Sequence, residues 1–168
     1  MNFDNIPAEI QAWIHCNVWR LMPGAAPQDK PRKVPYNPNT GYPGKPNQAS
    51  SYGPFAIARK AYAVGGYTGL GIGLLPEDPP GALGALDIDN CIGPDGAIDE
   101  RALDILSIMQ SYAEITPSNT GLRVFFTAPG AAFDFDSVYS CKPGAKHPSH
   151  GVECYIAGNT RAGRSVPR

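Results

Sequence analysis

At 168 residues the chain is long enough for one domain with a buried core. Lys+Arg 14 against Asp+Glu 15 gives a net charge of −1, which excludes a general electrostatic grip on nucleic acid. Gly 19 and Pro 18 are both high and charged residues make up only 17%, a composition of turns and irregular connections rather than of a helical bundle.

The N-terminus, Met1-Asn2-Phe3-Asp4, has no basic start followed by an apolar run, and no apolar stretch is long enough to cross a bilayer. The expectation is a cytoplasmic protein without a membrane partner. Its four cysteines, Cys16, Cys91, Cys141 and Cys154, are then reduced core residues rather than disulfides. Ile10 to Trp19 carries two tryptophans and reads as a strand or a short helix. Residues 23–51, crowded with Pro, Gly, Asn, Gln and Lys, read as a long irregular loop. Inside it Lys33-Val34-Pro35-Tyr36 is extended, because a residue before proline favours β geometry. Phosphate binding would need a local patch, and the candidates are Lys30, Arg32 and Lys33 here and Arg161, Arg164 and Arg168 at the far end. Tyr52 to Val64 reads as a helix with Phe55, Ala58, Ala61 and Tyr62 on one stripe, stopped by Gly65-Gly66. Gly71 to Leu75 reads as a short buried strand. The glycines from Gly69 to Gly73 are not a P-loop, since no Lys-Ser/Thr pair and no helix follow.

The strand Ala82 to Asp89 carries the main chemical signal. Asp87 and Asp89 project to one face, with Leu86 and Ile88 turned into the core. Adjacent carboxylates repel unless a cation lies between them, and Mg²⁺ is held by one or two carboxylates plus substrate phosphates. The pair therefore reads either as a metal-and-phosphate site or as two solvated acids at a strand end. Asp99 caps a helix from about Glu100 to Gln110, with Ala102, Ile105, Leu106 and Met109 inward. Ser111–Ile115 and Leu122–Thr127 read as strands around the turn Pro117–Gly121, and Gly151–Ile156 as the last strand. The class is α+β with a mainly antiparallel central sheet and flanking helices.

In order, the tryptophan-rich start, Lys33-Val34-Pro35-Tyr36, the Gly71-Ile72-Gly73 strand, Leu86-Asp87-Ile88-Asp89-Asn90, the turn from Ser111 to Leu122 and Val152-Glu153-Cys154-Tyr155 resemble a known family. It is the primase–polymerase domain at the N-terminus of phage and plasmid replication proteins, within the archaeo-eukaryotic primase superfamily. The resemblance implies an RRM-like core, one domain over 1–168 with an edge strand lost, and a flexible tail at 158–168. It also implies a stand-alone version without the helicase part, in a bacterium or a phage-infected cell. By resemblance Asp87, Asp89 and Glu153 are the catalytic, metal-binding acids, taking Mg²⁺ or Mn²⁺ with a nucleoside triphosphate. Arg123, Ser118, Lys33 and Arg161 are the phosphate-binding residues. Arg123 stands where the family has a histidine; arginine binds phosphate well but is no proton shuttle. The implied function is nucleotidyl transfer on single-stranded or primed nucleic acid, beside a separately encoded helicase. The alternative is an inactive binding protein on this scaffold that engages nucleic acid or inhibits a host nucleic-acid-processing or defence complex.

Cys141, His147, His150 and Cys154 are all zinc-ligand types in one short stretch. Their spacing matches no common zinc finger, and Cys154 falls on the core side of its strand, so zinc is the lesser reading.

Overall fold

The computed structural model describes residues 3–26, 28–29, 31–128 and 151–158. They form two compact units, one up to Leu75 and one from Pro76. The expected α+β class and antiparallel pairing are present, and the strands are divided between two sheets. Among the described residues no helix is long and apolar enough to cross a membrane.

In the first unit a short helix α1 (Ala8–Gln11) leads into β1 (Cys16–Met22), so the tryptophan-rich start is both helix and strand. The irregular loop contains β2 (Arg32–Tyr36), and after it come α2 (Phe55–Val64) and β3 (Gly69–Ile72). The sheet order is β2-β1-β3, all antiparallel. The α2 stripe packs as its spacing predicts: Phe55 and Ala58 join Cys16 and Val18 in the core, with Ala61 and Tyr62 against them. The glycines of β3 have a steric reason. A Cβ at Gly69 would lie 2.7 Å from the Trp19 ring, whose Nε1 donates to the Leu70 carbonyl at 2.9 Å.

In the second unit β4 (Gly84–Ile88), α3 (Glu100–Met109), β5 (Ala113–Ile115), β6 (Leu122–Phe126) and β7 (Val152–Ile156) follow in turn. The sheet order is β5-β6-β4-β7, again antiparallel throughout. Asp99 caps α3 as expected: its Oδ1 accepts the Ala102 N–H at 2.8 Å, filling one of the unpaired donors at a helix start. Leu86, Ile88, Leu122, Val124 and Val152 pack with Ala102, Ile105, Leu106 and Met109 of α3. This covers one face of the sheet and assigns the other face to the alternate residues of each strand.

Candidate functional site

Residues directly opposite in antiparallel strands project to the same side. Asp87 faces Arg123 on β6 and Glu153 on β7, and Arg123 faces Glu114 on β5. One charged row, Glu114–Arg123–Asp87–Glu153, therefore crosses the sheet on the face turned away from α3. At normal strand spacing it is about 14 Å long.

The row is tightest between β4 and β6. Arg123 Nε and Nη2 each lie 2.8 Å from Asp87 Oδ1, and Nη2 lies 3.1 Å from Oδ2. Both side chains are almost fully buried, 4% and 2% exposed. A buried carboxylate needs a cation and donors at its oxygens, and the guanidinium fork supplies both. The sequence leads one to expect a cation between Asp87 and Asp89; the cation that meets Asp87 here is the side chain of Arg123. On its other side Arg123 Nη1 is 3.5 Å from Glu114 Oε1, an ion pair too long for a strong hydrogen bond. Glu114 is more open, with a side chain 39% exposed. Partial burial pushes its carboxyl above the ordinary glutamate value; the Arg123 charge pulls it down and Asp87 adds to the rise.

One step along the strands, Ala85 lies between Phe125 and Tyr155 and is fully buried. Tyr112 packs on Phe125, ring centroids 6.0 Å apart. The Tyr155 hydroxyl donates to Glu153 Oε2. The charged row thus borders an aromatic floor that orients Glu153.

Asp89 lies just past the end of β4 and is half-buried. Its N–H donates to the Gly151 carbonyl at 2.7 Å, so strand pairing runs on to this residue. Glycines flank it. Gly151 has φ +54, and a Cβ on Gly121 would lie 2.7 Å from the Ile88 carbonyl oxygen. That approach is to backbone, which has no room to give.

The structure therefore brings Asp87, Arg123 and Glu153 into one row and puts Asp89 at the mouth of the same strand. Ser118 is exposed in the β5–β6 turn, its hydroxyl 3.0 Å from Thr116 Oγ1 and 2.9 Å from Thr120 Oγ1. Lys33 belongs to the first unit, on β2, with its ammonium 5.4 Å from the Trp19 ring centroid. Cys154 faces the α3 side opposite Leu86, and burial pushes its thiol up to about 11. Arg161, Cys141, His147 and His150 lie outside the described residues, as do Lys30, Arg164 and Arg168. Among the described residues no three His, Cys, Asp or Glu side chains are placed together to hold a metal ion.

Sequence reasoning missed Glu114 and Tyr155. A signal for Glu114 existed. In a hairpin, residues equidistant from the turn face each other, and Glu114 and Arg123 are equidistant from the turn that Thr116 and Gly121 close.

No family model matches the chain. Over 98 residues, 58% of the chain, it is 31% identical to a DNA primase-polymerase of Nitratiruptor phage NrS-1. The chain spans only 13% of that relative's length. The likeness gives the chain a distant, primase–polymerase-like relationship.

Proposed function

We propose that this chain is a primase–polymerase-like domain that binds nucleoside triphosphate and nucleic acid and carries out nucleotidyl transfer. One observation supports this reading most. Asp87 and Glu153 face each other in register on neighbouring strands, with Asp89 at the mouth of the same strand. In type, these oxygen donors suit a hard divalent cation whose remaining ligands come from substrate phosphates. Asp87 and Glu153 would hold Mg²⁺ or Mn²⁺ together with substrate phosphates, with Asp89 near the strand mouth rather than in a three-acid cluster, and the ion when bound supplies charge stabilisation at a triphosphate. The chain's own residues do the rest. Strand pairing on both sides fixes Asp87, Tyr155 orients Glu153, and the Ser118 hydroxyl in its exposed turn offers a donor to phosphate.

A second reading, a binding protein without transfer activity, is favoured by the Arg123 fork, which already neutralises the central acid. Primer synthesis and extension with Mg²⁺ and Mn²⁺ separate the two. Template-dependent product from the wild type, lost in Asp87→Asn and Glu153→Gln, supports transfer, and a helicase is then the expected partner. No product, with single-stranded DNA still bound in fluorescence anisotropy, supports the binding protein. A host nucleic-acid-processing or defence complex recovered by pull-down would then be its target.

A further inference from the structure

We infer that Arg123 is an internal counter-cation that competes with divalent metal for Asp87, and that Glu114 is its second anchor, taking the guanidinium when Asp87 releases it. The inference deepens the reading of the acids as a cation site and rests on it.

The geometry of the fork carries the argument. Arg123 grips Asp87 with two nitrogens at 2.8–3.1 Å but meets Glu114 only at 3.5 Å. The first contact is short, hydrogen-bonded and buried. The second is long and ends on a carboxylate that is 39% exposed. One guanidinium thus stands between a tight inner acid and a loose outer one, on adjacent strands at the same level of the sheet. A divalent cation reaching Asp87 would meet a positive charge within a few ångströms, a repulsion costly in a partly screened site. Moving the guanidinium toward Glu114 lowers that repulsion without leaving Arg123 unpaired in a buried place, which would be costly in its turn. Tyr155 holds Glu153 from the opposite side of Asp87, so the acid that would share the cation is positioned separately from the arginine. Glu114 is in these terms a positioning residue: it acts on the cation site through Arg123.

The test is Mn²⁺ binding to the whole chain, read by electron paramagnetic resonance and calorimetry, in wild type, Arg123→Gln, Glu114→Gln and the double variant. Removing the competing charge should tighten Mn²⁺ by at least about tenfold in Arg123→Gln, the scale of one nearby charge in such a site. Glu114→Gln alone should weaken Mn²⁺ a few-fold. In the Arg123→Gln background it should change nothing, since its effect runs through the arginine. An unchanged or weaker affinity in Arg123→Gln overturns the inference, and so does an equal Glu114 effect in both backgrounds. If Arg123→Gln does not fold by circular dichroism, Arg123→Lys takes its place. Lysine keeps the charge but loses the fork, so a few-fold tightening supports the inference and none overturns it. The two proposals fail separately. Tighter Mn²⁺ in Arg123→Gln without any primer extension overturns nucleotidyl transfer alone. Primer extension by the wild type with unchanged Mn²⁺ affinity in Arg123→Gln overturns the counter-cation alone.

Discussion

Arg20 in the first unit lies over two rings that touch each other, its guanidinium carbon 4.7 Å from the Tyr36 centroid and 4.8 Å from that of Tyr67. Arg123 in the second unit lies edge-on against the Asp87 carboxylate. The same side chain lies over aromatic rings in one place and is hydrogen-bonded to a carboxylate in the other. The ring contact is tolerant: a ring accepts a cation over a range of angles, and Arg20 Nε stays buried without a hydrogen-bond partner among the described residues. The hydrogen-bonded contact is directional, matches two donors to two acceptors, and fixes one rotamer. The first sheet uses Arg20 as packing, alongside Tyr36 and Tyr67. The second uses Arg123 to give a buried carboxylate two hydrogen-bond donors. A guanidinium's partner, more than its burial, decides whether it is a wall or a charge.

This contrast is strongest for Arg123→Ala, which leaves Asp87 buried without its fork. Urea unfolding should show a loss of about 3–5 kcal/mol, the usual cost of breaking a buried ion pair from one side. A loss under about 1 kcal/mol would mean that the carboxylate finds water or another donor, and the comparison would fail. Arg20→Ala should cost less, about 0.5–2 kcal/mol in the same assay, the range for a cation over aromatic rings. If Arg20→Ala proves the more harmful of the two, packing outweighs charge in this protein.

The smallest effect concerns pH. The Glu114 carboxyl is raised above its ordinary value of 4.5, so in the fold it keeps its proton where the unfolded chain has lost it. Its contribution is present below that ordinary value and is lost as pH rises through the raised one. Thermal melts of wild type and Glu114→Gln from acid to neutral pH should therefore diverge, the wild type losing stability relative to the variant as pH rises through that window. Parallel curves would show that the outer anchor carries no titratable strain.

Much of this was legible in the chain. The Asp99 cap, the α2 stripe and the alternation around Asp87 rest on local spacing, and local spacing is what a sequence displays. Asp87 and Glu153 could be given a common face from alternation, but their direct opposition depends on pairing between distant strands. The division of the strands into two sheets is hidden for the same reason. Arg123 was singled out only by the resemblance, as an expected phosphate ligand standing where the family has a histidine. The structure adds its grip on Asp87, which only the β4–β6 register discloses. Glu114 falls between these cases: its partner is local, but its strand is three residues long and shows little alternation.

Strand β4 is bonded along its length to β6 on one side and β7 on the other. Central strands of this kind open last, so the amides of Gly84–Ile88 should be among the slowest in the second unit to exchange with deuterium. Asp87 is then fastened to one of the two central strands of that unit's sheet. Events at its carboxylate, whether ligand entry or the turning of an arginine, belong to side-chain timescales and do not wait for the sheet to breathe. Exchange at β4 and relaxation of the side chains around it are separate clocks, and a substrate would feel only the faster one.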